Sequence, residues 1–346
     1  WRTLAGWAIP SIAALIETDI KFIAIDFEGK KVVEILDAVI IGGGPAGLSC
    51  ALELHDSKVS NIVIERRNQL GGSLSEIKNT VRTFTGGFFE NGEELRLRLV
   101  ALVEKMKLPH LLNANVETVE LEKGIVYAAG HQYIGRTIVL ATGVRFRRLP
   151  AADAKPFKKD VYYYTEGRES EFDGKTIAVI GGGDSALMEC LGLSEKCKRI
   201  FLIHRNDRIT ARPDVIDAVE ANSKVTLITN SILESINGND ETDDTNETAG
   251  RLTSIAVSSV KTGALTQFDV DKLVVKVGYA PNTELFRGQV QMDKDGHIIV
   301  DQFGQTSLPN VLAIGDMTTP SYPRIAAATG QGSFAAARIR SILGAR

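Results

Sequence analysis

The sequence predicts an α/β protein built on two parallel sheets. An apolar strand running into a glycine-rich turn occurs twice, at Ala38-Val39-Ile40-Ile41-Gly42-Gly43-Gly44-Pro45-Ala46-Gly47 and at Ala178-Val179-Ile180-Gly181-Gly182-Gly183-Asp184-Ser185-Ala186. Each turn leads into a helix-like stretch, residues 48–54 and 187–193, and then into a second apolar strand, residues 61–64 and 199–203. Uniformly apolar strands alternating with helices read as βαβ units, whose sheets are covered on both faces.

The other elements fall around these two units. The chain opens on Trp1 rather than Met, which leaves room for a removed upstream segment. Residues 4–16 are apolar but interrupted by Pro10. They are too few to span a bilayer, which takes about 20 residues, and are expected as a buried helix. Residues 21–34 alternate around Glu28-Gly29-Lys30 and read as a hairpin. Residues 1–35 are thus taken as an N-terminal extension. Val139-Leu140-Ala141-Thr142-Gly143 reads as a buried strand ending at a glycine, and Arg147-Arg148-Leu149-Pro150 as a linker. Residues 273–278 and 311–316 are further buried strands. Residues 237–248 are polar and acidic and read as a solvated hairpin tip.

Composition narrows the class. At 346 residues, 44% hydrophobic and 24% charged, the chain has the balance of a globular protein with room for two domains. A formal net charge of −3 argues against a nucleic-acid partner. Its 3 cysteines, Cys50, Cys190 and Cys197, form no CxxC pair and no zinc-ligand spacing, so no metal site is expected. So few cysteines fit a reducing, cytoplasmic compartment, and a membrane location is not expected. The sequon at Asn246-Glu247-Thr248 is read as chance.

The turns carry the chemistry. In Gly42-x-Gly44-x-x-Gly47 the first glycine makes the tight turn. The second lets backbone approach a pyrophosphate, and the third lets helix pack on strand. The helix N-terminus adds positive potential. Glu65 ends the next strand and can accept a hydrogen bond from a ribose hydroxyl. Gly181-x-Gly183-x-x-Ala186 is a second fingerprint. Gly47 and Glu65 are 18 residues apart, as are Ala186 and His204. The equivalent positions differ in charge: an acid in the first unit, His204-Arg205 in the second. The acid suits a free ribose diol and the basic pair a 2′-phosphate. Two Rossmann-like sites of unlike polarity imply two dinucleotides, FAD in the first and NADPH in the second, with NADH as the alternative if the basic pair is ordinary surface. That pairing implies hydride transfer from nicotinamide to flavin N5.

The order of motifs resembles the low-molecular-weight thioredoxin reductases and the related ferredoxin/flavodoxin–NADP reductases of thioredoxin-reductase type. The resemblance rests on residues 42–47, Gly71-Gly72-Ser73-Leu74, Ala141-Thr142-Gly143, residues 181–186, His204-Arg205, Gly278-Tyr279-Ala280-Pro281-Asn282-Thr283 and residues 305–316. It covers about residues 36–346. It implies a three-layer ββα architecture in both domains, with the NAD(P)H domain (150–266) inserted into the FAD domain (36–149 and 267–346), and a homodimer. FAD would be held by Gly42, Gly44, Pro45, Ala46, Gly47, Glu65, Arg66, Gly72, Ser73, Leu74, Ala141, Thr142 and Gly143. Asp316 would bind the ribitol beside Gly315, and Arg324, Ile325 and Ala326 would follow the flavin's pyrimidine edge. Gly330 and Gly332 fit close packing of the last helix. NAD(P)H would be held by Gly181, Gly183, Asp184, Ser185, Ala186, His204, Arg205 and Gly278.

The departures redirect the function. Thioredoxin reductases carry a redox-active CxxC just before the second fingerprint strand, where this chain has Val161-Tyr162-Tyr163-Tyr164-Thr165-Glu166-Gly167. Bacillithiol-disulfide reductase-like members carry a cysteine where this chain has Ala46. Cys50 reads as a core residue. Cys190 and Cys197 do not read as a flavin-coupled dithiol. Asn206 stands where the family has a second arginine, with Arg208 or Arg212 as substitutes. Arg324 stands where the family often has Gln; it and Tyr163 are candidate flavin neighbours, against surface pairing and strand packing as the plainer readings. The chain also lacks the long C-terminal extension usual in the ferredoxin-NADP reductase branch. The expected activity is therefore a flavin oxidoreductase without its own dithiol, in which no side chain is required as acid, base or nucleophile. Its electrons would go to a ferredoxin or flavodoxin, a quinone or O2. A dinucleotide-binding redox sensor or scaffold with little turnover, and disulfide reduction through thiols of another chain, stand as alternatives.

Overall fold

The computed structural model describes residues 26–27, 30–31, 35–78, 80–152, 155–239, 250–319 and 323–344. The apolar stretch at 4–16 and the tip of the acidic loop at 240–249 lie outside the described residues. The strands of the N-terminal hairpin are present, with Asp26–Phe27 antiparallel to Lys30–Lys31. The chain divides into two compact units, Trp1–Arg145 with Ala280–Arg346, and Phe146–Tyr279.

The first unit begins with β1 (Ile35–Ile41), α1 (Pro45–Asp56), β2 (Asn61–Ile64), α2 (Gly92–Met106) and β3 (His110–Leu111). A meander follows: β4 (Val116–Glu120), β5 (Ile125–Ala128) and β6 (His131–Leu140). β6 serves two sheets' worth of pairing. Its first half runs antiparallel to β5, and its second half runs parallel to β1. The sheet order is β3-β2-β1-β6-β5-β4.

Side-chain alternation along β1 explains why it is apolar throughout. Ala38 and Ile40 face one layer, with Leu48, Ala51 and Leu54 of α1. Val39 and Ile41 face the other, with Val126, Ala128 and Tyr133 of the meander. All four strand residues are buried, and burying a Val or Ile side chain contributes about 1.5–3 kcal/mol. α2 starts where Asn91 accepts the Glu94 amide at 3.0 Å while Glu94 accepts the Glu90 amide at 2.9 Å, which together satisfy two amides at its entry.

The second unit contains β7 (Val161–Tyr162), β8 (Thr176–Ile180), α3 (Asp184–Ser194), β9 (Arg199–Ile203), α4 (Pro213–Glu220) and β10 (Val225–Ile228). Then come β11 (Ser231–Asn239), β12 (Arg251–Ser259), β13 (Leu265–Asp269) and β14 (Lys272–Val275). The parallel sheet has the order β7-β14-β8-β9-β10. α3 and α4 cover one face, where Val179 and Leu202 meet Leu187 and Val215. The antiparallel sheet β11-β12-β13 covers the other, where Ile180 and Ile203 meet Ile236 and Ile255.

The chain re-enters the first unit at Ala280 rather than at 267. The reason is pairing: β14 lies between β7 and β8 and completes the second unit's sheet. Back in the first unit, β15 (Val311–Ala313) runs parallel to the end of β6, and α5 (Ile325–Leu343) packs on α1. Both units are three-layer Rossmann-like folds, with helices on one face of a parallel sheet and antiparallel strands on the other. No helix among the described residues is long and apolar enough to cross a membrane.

Candidate functional site

Each fingerprint turn shows which glycines the protein itself requires. Gly42 has φ +114°, and a Cβ there would lie 2.3 Å from the Ala141 carbonyl oxygen. A Cβ on Gly47 would lie 2.0 Å from the Gly42 carbonyl oxygen. Those two glycines are fixed by packing. Gly44 is different: the nearest atom to its Cβ position is the Gly72 Cα at 3.9 Å. The second turn repeats this. A Cβ on Gly181 would lie 2.4 Å from the Lys276 carbonyl oxygen, whereas one on Gly183 meets nothing nearer than the Thr210 Oγ1 at 4.0 Å. The middle glycines thus border space that protein atoms leave open. Both caps, Gly44 before α1 and Gly183 before α3, lack a capping side chain. An anion could use both the space and the helix-terminal amides.

In the first unit Glu65, Gly72, Ala141, Thr142 and Gly315 meet the turn. Glu65 is buried, its carboxylate accepting the Gly43 amide at 2.7 Å and the Arg67 amide at 2.8 Å. Gly72 has φ +57° and crosses above Gly44, with 2.9 Å between its Cβ position and the Gly44 Cα. A Cβ on Gly315 would meet the Ala46 Cβ at 3.2 Å. The Gly315 amide donates to Gln331 Oε1 at 2.7 Å. Burial holds the Asp316 carboxyl above its ordinary range. The Thr142 hydroxyl donates to the Asn282 carbonyl at 2.6 Å, and Gly143 is left-handed at φ +65°. Arg66, Ser73 and Ala326 are exposed and Ile325 is half-buried. Arg324 is exposed and precedes α5, donating to the Pro323 carbonyl at 3.0 Å.

In this unit Leu74 packs within the protein, and Gly330 does not. Leu74 turns into the core with Val81, Phe89 and Leu95, because an apolar side chain in that short turn gains more from burial than from facing the open site. Gly330 has open space beside it, so close packing falls to Gly332 alone. A Cβ on Gly332 would lie 2.4 Å from the Ala46 carbonyl oxygen, so α5 meets α1 backbone to backbone there.

In the second unit the His204 side chain turns inward. Its ring is buried against Gly182, with Nδ1 2.2 Å from that glycine's Cβ position, and Nε2 bonds the Arg208 carbonyl at 3.1 Å. It occupies the place Glu65 holds in the first unit, beneath the middle of the turn. Arg205 and Arg208 are exposed, whereas Arg212 is drawn to Asp184, 3.5 Å away. The Arg212 amide also donates to Asp184 Oδ1 at 2.7 Å. Ser185 is exposed, Ala186 is buried, and Gly278 is left-handed at φ +85°. Tyr163 packs 6.5 Å from Phe146, with Arg148 5.5 Å from its ring centre.

Some residues were not expected. Arg67 donates to the Gly72 carbonyl at 2.9 Å and pairs with Glu76 at 2.7 Å, fixing the loop over Gly44. Arg96 on α2, salt-bridged to Glu93 at 2.6 Å, packs where a Gly71 side chain would go. Lys276 and Glu189 form a buried ion pair at 2.6 Å. Lys276 and Glu189 lie on separate elements, so no local spacing announces their pair. The described residues hold no group of three or more His, Cys, Asp or Glu placed to bind a metal ion.

The three cysteines are free thiols, all buried. Burial pushes the Cys50 and Cys190 thiols far above the ordinary range, and Cys197 up to about 11.

Comparison with known proteins agrees with this geometry. The family model described as pyridine nucleotide-disulphide oxidoreductase matches residues 36–332. A "34.2 kDa protein in rubredoxin operon" of Clostridium pasteurianum is 28% identical, over 90% of this chain and 98% of its own. A thioredoxin reductase of Listeria innocua is 28% identical, over 87% of this chain and 92% of its own. Among solved structures, the thioredoxin reductase of Lactococcus lactis superposes with a TM-score of 0.75 at 26% identity, over 89% of this chain and 99% of that one.

Proposed function

Since the chain belongs to the pyridine nucleotide-disulphide oxidoreductase family, and within it is a thioredoxin reductase-like, NAD(P)H-dependent flavoprotein oxidoreductase, we propose that it passes electrons from its flavin to an external acceptor without a dithiol of its own. The observation that carries this is the burial of every thiol in the chain: Cys50, Cys190 and Cys197 all sit in apolar clusters. A thiol acts as a nucleophile through its thiolate, and burial holds these three protonated.

The first unit is the FAD site and the second the NAD(P)H site. FAD, when bound, supplies the centre that accepts a hydride and releases electrons. In the first unit the amides opening α1 would hold its pyrophosphate beside Gly44. Glu65 would meet the adenosine ribose and Asp316 the ribitol. In the second unit Gly183 and the start of α3 would hold the nucleotide pyrophosphate, and Arg205 would face a 2′-phosphate. None of these residues has to give or take a proton; they bind and orient. The acceptor is a small redox protein such as a ferredoxin or flavodoxin, with quinone and O2 as simpler substitutes. One relative's rubredoxin-operon name favours a one-electron protein acceptor. The working form is a homodimer.

Anaerobic stopped-flow reduction tests this. NADPH should bleach the flavin absorbance, and ferricyanide or a ferredoxin should restore it. A variant with all three cysteines changed to Ala should do the same. Flavin that no pyridine nucleotide bleaches, or activity lost with the thiols in a folded variant, would overturn the proposal.

A further inference from the structure

We propose that the buried Lys276–Glu189 pair is a positioning device for the nicotinamide half of bound NAD(P)H, acting by holding Tyr164 as a wall of that half-site. The inference rests on reading the second unit as the NAD(P)H-binding unit.

Topology locates the half-site. β9 and β10 lie on one side of β8, and β14 pairs on the other. Strand order therefore reverses between β8 and β14. In open α/β sheets a dinucleotide lies across the crevice beyond the C-terminal strand ends at such a reversal. Lys276 is the first residue after β14. Its carbonyl oxygen is the atom that bars a side chain from Gly181. The pair thus stands beside the fingerprint turn, at the reversal itself.

Three segments meet on it. Lys276 Nζ lies 2.6 Å from Glu189 Oε2 on α3, with the two side chains 6% and 10% exposed. Thr165, also buried, donates its hydroxyl to the other oxygen of Glu189. The Lys276 ammonium stands 5.7 Å from the centre of the Tyr164 ring, and Phe146 meets that ring edge-on at 4.9 Å. Tyr164 and Thr165 follow β7, the parallel neighbour of β14, so they lie at the same sheet edge.

A buried ion pair is weak support for stability, because desolvation cancels much of its attraction and apolar residues of the same size often serve as well. What such a pair does give is a fixed geometry. Here it joins the end of β14, the second turn of α3 and the segment carrying Tyr164. A cation held near an aromatic ring also orients that ring. A flat ring fixed at the crevice is a surface against which a planar nicotinamide can lie.

Removing both charges together avoids leaving one buried and unpaired. Flavin-loaded, full-length protein carrying Lys276→Met with Glu189→Gln is titrated with NADP+ and with adenosine 2′,5′-bisphosphate, which has the adenosine half alone. NAD+ and AMP are run in parallel. The double variant should bind the adenosine fragments within twofold of the parent, but the complete nucleotide at least tenfold more weakly. Tyr164→Ala should give the same split, and Lys276→Arg, which keeps the cation, should restore most of the affinity. Equal weakening of fragment and nucleotide, or no weakening of either, overturns the proposal. A parent protein that binds neither overturns the NAD(P)H reading and this proposal with it, a result distinct from both.

Discussion

The Glu65 carboxylate accepts the amide proton of Gly43 at 2.7 Å, tying the end of β2 to the turn that closes β1. Its other oxygen accepts the Arg67 amide at 2.8 Å. An ionised carboxylate has lone pairs left after two such bonds, so it can still meet a ribose hydroxyl. Glu65→Gln keeps the shape but turns an NH2 group toward one of the two amides. A buried donor left without an acceptor costs about 1–3 kcal/mol. Urea unfolding of flavin-free protein should show a loss of that order, and the variant should release FAD faster on dialysis.

The fingerprint glycines separate fold from ligand. Gly42→Ala places a Cβ 2.3 Å from a backbone oxygen at φ +114°, where an L-residue is already strained. It should not yield soluble, folded protein. Gly44 has φ −78° and its nearest neighbour 3.9 Å away. Gly44→Ala should therefore leave the flavin-free protein within about 0.5 kcal/mol of the parent. Its yellow colour after desalting should nevertheless be largely lost, because the methyl would enter the space proposed for the FAD pyrophosphate. Full flavin retention in Gly44→Ala would falsify the assignment of this turn.

Glu171 makes a pH prediction. The Arg168 guanidinium hydrogen-bonded to it, and then the Tyr162 hydroxyl, hold its carboxyl down at about 2. A carboxyl depressed on folding adds stability that is complete above its unfolded value of about 4.5 and lost as pH falls toward 2. The Glu171 side chain is 40% exposed, so solvent screening limits the gain to about 1 kcal/mol or less. Glu171→Gln should be less stable than the parent at pH 7, with the gap closing between pH 4.5 and 2. A gap that stays constant across that window would show that the charge is not its source.

What was legible in the chain was whatever repeats locally. The paired turns, the strands at 61–64 and 199–203 and the burial of Ala38–Ile41 follow from apolar runs bounded by glycine. What was not legible depends on partners distant in sequence. Of β6 only the end reads as a strand, over 139–143; that it begins at His131 and pairs antiparallel with β5 and parallel with β1 is a choice made by neighbours rather than by its own residues. The Lys276–Glu189 pair joins residues on separate elements, and neither residue's neighbours in sequence point to the other. His204 shows the same limit at close range: a residue just past a strand end has the same spacing whether its ring turns in or out.

That inward turn divides the His204-Arg205 pair into two roles with separate signatures. His204 fills the space behind Gly182 and bonds the Arg208 carbonyl, so it shapes the turn. Arg205 is exposed and able to meet a phosphate. His204→Ala should leave a cavity costing about 2–3 kcal/mol in stability and should weaken NADPH and NADH alike. Arg205→Ala should leave the melting temperature unchanged and raise KM for NADPH about tenfold, the loss of roughly 1.4 kcal/mol expected for a charge-assisted bond. KM for NADH, which has no 2′-phosphate, should not move. Steady-state kinetics with both nucleotides on both variants, beside their melting curves, decide it. If Arg205→Ala alters KM for the two nucleotides equally, the 2′-phosphate is read by another residue, and Arg208, exposed on the same loop, is the next to change.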